Sequence, residues 1–135
     1  MQANGEYLTK DEHIKYWLDT AAKDWKAAQQ LFKAKSYIHA LFFGHLYLEK
    51  LCKALWVKNN DSNTPPKVHN LVKILNETGI EYSAEQMDFM IIMNNFQLEG
   101  RYPDYQQRLF KMYKAAKTQE ILKQVKTFGK WLREQ

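Results

Sequence analysis

Apolar residues recur at three- and four-residue spacing over most of this chain, the mark of helices with one face turned away from water. The pattern is densest over residues 36–58, where Tyr37, Leu41, Gly44, Leu48, Leu51 and Leu55 form one stripe. Ile38, Phe42, Cys52 and Trp56 run beside it as a second stripe, and Phe43 and Tyr47 add to the apolar girth. A helix that is apolar on most sides is covered on most sides, which places this one at the centre of a bundle. Ser36 is its expected N-cap, since a serine hydroxyl can accept from an amide of the first turn. Two residues in the second stripe break the pattern. His45 and Glu49 stand four apart and are neighbours on the helix surface. A buried imidazole and a buried carboxylate are costly unless paired, so packing alone does not account for them.

The flanking segments follow the same period. A first helix is predicted over about residues 11–34, with Ile14, Leu18, Ala21, Trp25, Ala28 and Phe32 inward and Trp17 and Leu31 widening the stripe. Asp24 sits at its edge, where packing alone makes it a boundary carboxylate beside a lysine. The two-residue turn Lys35-Ser36 implies antiparallel neighbours. A polar loop, 59–67, closes with Pro65-Pro66. His69-Asn70 then leads a short helix through Leu71, Val72, Ile74 and Leu75, with Gly79 expected at C′. Ser83 and Gln86 have capping-box spacing. The helix they open should bury Met87, Met90, Ile91 and Phe96 and stop at Gly100, although Asn94 and Asn95 interrupt it. Pro103 breaks the chain, and Asp104 is the expected cap of a helix burying Leu109, Met112, Tyr113 and Ala116. Thr118 should cap the last helix, 119–133, whose inner face is Ile121, Val125, Phe128 and Leu132. No strand-like alternation exceeds a few residues and no repeat is visible. The fold class is therefore all-α: a single domain over 1–135, an antiparallel helical bundle of about five to six helices with an up-and-down four-helix core plus short helices.

Composition narrows the class without naming a chemistry. At 135 residues, with 45% hydrophobic and 14% aromatic content, the chain suits one folded core. Cys52 is the only cysteine, which excludes disulfides and cysteine-type zinc sites and points to a reducing compartment. No apolar run approaches the roughly 18 residues of a membrane span, and the N-terminal stretch has no apolar signal core. A soluble, cytoplasmic protein is expected. The net charge of +5 is uneven: residues 1–100 carry 11 Lys/Arg against 12 Asp/Glu, and residues 101–135 carry 9 against 3. Lys123, Lys126, Lys130 and Arg133 share one face of the last helix. A solvated amphipathic face is favoured about two to one over an RNA footprint, and no aromatic interleaves that face within the helix.

Most chemical signatures are missing. There is no Gly-rich phosphate loop, no HExxH and no GxSxG. The histidines at 13, 39, 45 and 69 show no ligand-like clustering, and a satisfied core pair is about three times favoured over a metal site for His45 and Glu49. No metal and no cofactor is expected.

Four segments in order nonetheless resemble one family. Ala21-x-x-Asp24-x-x-x-Ala28-x-x-Leu31 is similar to the first-helix pattern of the HEPN domain. Tyr37-x-x-Ala40-x-Phe42, then His45 and Glu49-Lys50-x-x-Lys53-Ala54-Leu55, resemble its second-helix pattern. Pro66-x-x-His69-x-Leu71 resembles the loop before its third helix, and Arg101-Tyr102-Pro103-Asp104 resembles the RYPD turn of many members. The resemblance implies a bundle that often dimerises, a polar cleft proposed to bind nucleotides, and a minimal nucleotidyltransferase as common partner, in some cases as antitoxin. Many members are RNases with an Arg, four to six residues, then a His. Here no histidine follows Arg101, and Tyr105 is a poor base near neutral pH with an ordinary pKa of about 10. An RNase toxin is therefore the runner-up, and a non-catalytic interaction module the third reading.

The expectation that results is a non-catalytic or weakly catalytic domain that binds a nucleotide or nucleotide-like ligand. Arg101 and Lys53 would contact phosphate, His45, Glu49 and Asp24 would line the cleft, and Asp104 would orient Arg101. An Arg101–Asp104 staple across the proline turn has about even odds with that role. A homodimer is expected from the resemblance and from the number of aromatics, Trp17, Trp25, Trp56 and Trp131 among them.

Overall fold

A computed structural model describes residues 8–99 and 101–135. Among the described residues all regular structure is helical: α1 (Lys10–Lys33), α2 (Tyr37–Asn59), α3 (Leu71–Asn76), α4 (Ala84–Asn94), α5 (Pro103–Met112) and α6 (Ala115–Arg133). The all-α bundle expected from the periodicity is what forms. α1 and α2 pack along their lengths, α6 and α3 pack on other sides of α2, and α4 and α5 touch it more lightly. In the 23-residue α2, Ile38, Leu41, Leu48 and Cys52 are fully enclosed, as its two apolar stripes predict, and Val57, outside both stripes, is enclosed as well. No described helix is long and apolar enough to cross a membrane.

Local chemistry explains where the helices begin and end. Thr9 and Glu12 form a capping box for α1, so this helix starts one residue earlier than the apolar pattern alone suggests. Ser83 and Gln86 form the expected box for α4. Ser36 occupies the N-cap of α2 but makes no capping hydrogen bond. Asp104 is not the cap of α5: Tyr102 is, Pro103 takes the first helical position, and Asp104 adds negative charge to the first turn, where the helix dipole favours it. Thr118 lies inside α6, fully buried, because that helix starts at Ala115. α4 ends at Asn94, before Gly100, which lies outside the described residues. Gly79 has φ +76°, a left-handed conformation that suits glycine, and falls two residues beyond the C-cap Glu77 of α3.

The core differs from expectation at the rim. Met90, Met93, Phe96, Leu109 and Tyr113 are buried, whereas Leu18, Met87, Ile91, Met112 and Ala116 are exposed. The four tryptophans are accommodated within the one chain: Trp56 donates to Glu77 Oε1 at 2.8 Å, Trp131 stacks on Phe128, Trp25 on Tyr47, and Trp17 lies under the Lys53 ammonium. They do not by themselves call for a partner chain. Cys52 is fully enclosed, and burial pushes its thiol up to about 12, with Glu49 acting in the same direction. It is an inert core residue.

Tyr47 of α2 lies against Gly129 of α6. A Cβ at Gly129 would come within 2.5 Å of the Tyr47 ring, which is 4% exposed and held by Trp25 at 5.1 Å. A Cβ at Gly44 would meet Leu122 at 3.5 Å, an ordinary contact. Gly129→Ala should therefore destabilise the fold by about 1–3 kcal/mol despite alanine's better helix propensity. Gly44→Ala should be neutral or stabilising by up to about 1 kcal/mol. Urea unfolding midpoints of the two variants check both signs.

Candidate functional site

The site begins with three polar residues spaced four apart on the most apolar helix. His45, Glu49 and Lys53 project from one line of α2 and are 0%, 4% and 7% exposed. Their burial is possible because they satisfy one another and one loop. Glu49 Oε2 accepts from the Lys53 ammonium at 2.9 Å, and Glu49 Oε1 accepts from His69 Nδ1 at 3.0 Å. A carboxylate can only accept, so His69 carries its hydrogen on Nδ1. His45 Nε2 stands 3.0 Å from the His69 carbonyl and must be its donor. His45 Nδ1 is left bare 3.9 Å from Glu49 Oε1, beside Asn94. Burial holds the His45 imidazole below its ordinary 6.5, and it wins over the opposing pull of Glu49. His45 is a neutral post that holds the His69 backbone while Glu49 holds its ring.

Two further elements bring the other wall. Asn70 caps α3 through the Lys73 amide, and Asn94, at the end of α4, donates to Asn70 Oδ1 at 3.1 Å and accepts from the Leu71 amide at 3.0 Å. The asparagine that interrupts the α4 pattern thus ties α4 to α3. Beyond it, the Gln97 carbonyl accepts from Arg101 Nε at 3.1 Å, and the Arg101 guanidinium lies 4.7 Å over the Tyr105 ring. No described residue accepts from its terminal N–H groups. His69, Asn70, Asn94, Gln97 and Arg101 enclose a cavity of about 210 Å³. Gln97 Nε2 is buried there without a partner among the described residues. A planar guanidinium suits a phosphate or carboxylate, and an imidazole held by a carboxylate can take a proton at its other nitrogen.

The residues singled out from sequence separate into groups. His45 and Glu49 are the buried support of this cavity. Lys53 sits on the other side of Glu49, in a second cavity with Trp17. Asp24 forms an ion pair with Lys50 at 2.7 Å, tying α1 to α2, and does not line the Arg101 cavity. Asp104 is exposed and no ion pair joins it to Arg101 among the described residues; the Gln97 carbonyl and the Tyr105 ring hold that arginine. Sequence reasoning missed His69, Asn70, Asn94 and Gln97 as site residues. The signal for Asn94 was present, a polar residue inside an apolar run. Among the described residues no group of three or more His, Cys, Asp or Glu is arranged to hold a metal ion.

The chain is thus an α-bundle whose central helix buries a His-Glu-Lys line behind a cavity lined by His69 and Arg101. The model of the HEPN domain matches residues 14–135, and the chain belongs to that family. No curated protein and no solved structure matches it significantly.

Neutral burial of His45 makes stability depend on pH. The unfolded chain binds a proton at His45 below about 6.5 and the folded chain resists it, so this residue contributes a loss of stability as pH falls from 6.5. Above 6.5 both states are neutral and the contribution vanishes. His45→Gln keeps a donor for the His69 carbonyl and should flatten the decline in urea-unfolding stability between pH 6.5 and 5, relative to the wild type.

Proposed function

We propose that this HEPN domain binds a nucleotide or nucleotide-like ligand by its phosphate in the His69–Asn94–Gln97–Arg101 cavity, beside a minimal nucleotidyltransferase partner of the kind the family resemblance implies. The observation that carries the reading is Arg101: held at Nε and over Tyr105, it presents its terminal N–H groups to a cavity that also contains the unpartnered Gln97 amide. The pair offers donors and no carboxylate, as an oxyanion requires. At about 210 Å³ the space suits a phosphate with part of a sugar and is smaller than a typical pocket for a whole ligand. Of the six residues expected at the site, Arg101 keeps its phosphate role in this proposal, while His45 and Glu49 support the cavity from behind instead of lining it. Lys53, expected at the phosphate, faces the other cavity, and Asn94 and Gln97 stand in the places expected of Asp24 and Asp104.

One observation favours the RNase reading as the second. The histidine absent downstream of Arg101 in sequence has a spatial substitute in His69, which shares its cavity and is fixed by Glu49. Such an imidazole could accept the proton of a ribose 2′-hydroxyl while Arg101 steadies the phosphate. A homodimer is part of the proposal as well, supported by exposed Met87 and Ile91 on α4 and Phe110 and Met112 on α5. RNA contact along exposed Lys123, Lys126, Lys130 and Arg133 is supported only by their shared face.

Calorimetry with a panel of nucleotides beside an RNA degradation assay separates the readings. Binding alone predicts intact RNA and an Arg101→Ala variant that loses about 1.5–3 kcal/mol of affinity. Cleavage without added metal, abolished by both His69→Ala and Arg101→Ala, would move the function to the RNase. Neither binding at millimolar nucleotide nor cleavage would leave an interaction module.

A further inference from the structure

We infer that the cavity between the start of α1, Lys53 and the 63–67 loop takes a planar heteroaromatic ring with neighbouring hydrogen-bond donor and acceptor groups, such as a nucleobase. The inference goes beyond the phosphate reading and does not rest on it. The cavity has a volume of about 420 Å³ and is bordered by Tyr16, Trp17, Lys53, Asn63, Pro65 and Lys67. Tyr16 and Trp17 meet edge to face with ring centroids 5.5 Å apart, and Tyr16 is 56% exposed, so aromatic surface is open to a ligand. Stacking on such surface is available to any base.

The polar groups of the cavity make it more than a greasy hollow. The Lys53 side chain is 9% exposed, and its ammonium lies 5.5 Å over the Trp17 ring. An ammonium has three N–H donors and Glu49 takes one of them. An aliphatic occupant would bury the remaining donors without an acceptor, which is unfavourable, whereas a ring nitrogen or carbonyl would satisfy them. Asn63 Oδ1 is buried with no hydrogen-bond partner among the described residues, and an exocyclic N–H would supply one. Lys67 adds a second, exposed cation at the rim.

Glu49 separates this cavity from the Arg101 cavity: its two oxygens hold Lys53 on one side and His69 on the other, and no residue lines both. At about 420 Å³ the cavity is by itself within the usual range for a small ligand.

The test uses adenosine, ribose 5-phosphate and AMP as separate probes, with binding read by saturation-transfer NMR and calorimetry. Adenosine places a ring-nitrogen acceptor beside the N6–H donor. Thr64→Trp fills the cavity from an exposed loop position, and Trp17→Leu removes the aromatic wall; circular dichroism confirms that each variant is folded. Adenosine should bind the wild type, lose at least tenfold in affinity on either change, and lose less than twofold on Arg101→Ala. AMP should lose at least tenfold on Thr64→Trp and on Trp17→Leu. Adenosine that fails to bind at 10 mM, or binds folded Thr64→Trp as well as wild type, overturns the base subsite. If adenosine behaves as expected while AMP and ribose 5-phosphate ignore Arg101→Ala, the base subsite stands and the phosphate reading fails.

Discussion

The interaction on which this domain most depends is the pair of hydrogen bonds accepted by the Glu49 carboxylate in the middle of its most buried helix. A carboxylate placed there alone would be driven to take up a proton or to unfold its surroundings, since transferring a charge into a protein interior costs several kcal/mol. The cation that answers it comes from the same helix, one turn on, as Lys53 at 2.9 Å. Its other oxygen reaches 20 residues along the chain to the His69 ring. That second bond matters most for architecture. It fixes the end of a proline-bearing loop against α2, and His45 reinforces it by donating to the His69 carbonyl.

From that anchor the rest of the site follows by short steps. With His69 in place, Asn70 starts α3, and Asn94 closes the gap between α3 and α4 through the Leu71 amide and Asn70. α4 then delivers Gln97, whose carbonyl holds Arg101. Each residue is positioned by the one before it, and two of the five buried polar atoms without a hydrogen-bond partner among the described residues, Gln97 Nε2 and Asn63 Oδ1, belong to residues that line the two cavities. Unsatisfied buried groups are rare in folded chains, so each of these two strengthens its cavity as a candidate ligand site.

How much of this is legible in the sequence depends on how far apart the interacting residues lie. Helix α2 and its antiparallel pairing with α1 are read directly, because their apolar spacing and a two-residue turn are local features. His45 and Glu49 announce themselves by interrupting a stripe. His69 does not: it precedes a short helix with no periodic context, and its bond to Glu49 arises only when the loop folds back. Lys53 and Arg101 look equivalent as cations in the sequence, yet the Glu49 carboxylate stands between their cavities. The misplaced caps, Asp104 and Thr118, share a cause. Each is a good capping residue type near a helix start, but Pro103 and the Ala115-Ala116 pair let the helices begin earlier. Periodicity places Met87 and Ile91 in the core, yet both are exposed, because it marks a face without saying whether anything covers it.

Whether a Glu49-anchored His69 forms the wall of a ligand site can be read from long-range 1H–15N NMR of the histidine rings during titration with AMP. The expected result is a His69 ring protonated at Nδ1 in the free domain, a His45 ring that stays neutral throughout, and movement of the His69 Nε2 signal with the Asn94 and Gln97 side-chain amides as AMP saturates. A His69 ring that exchanges freely between tautomers, or signals from all three residues that stay still at millimolar AMP, would contradict it.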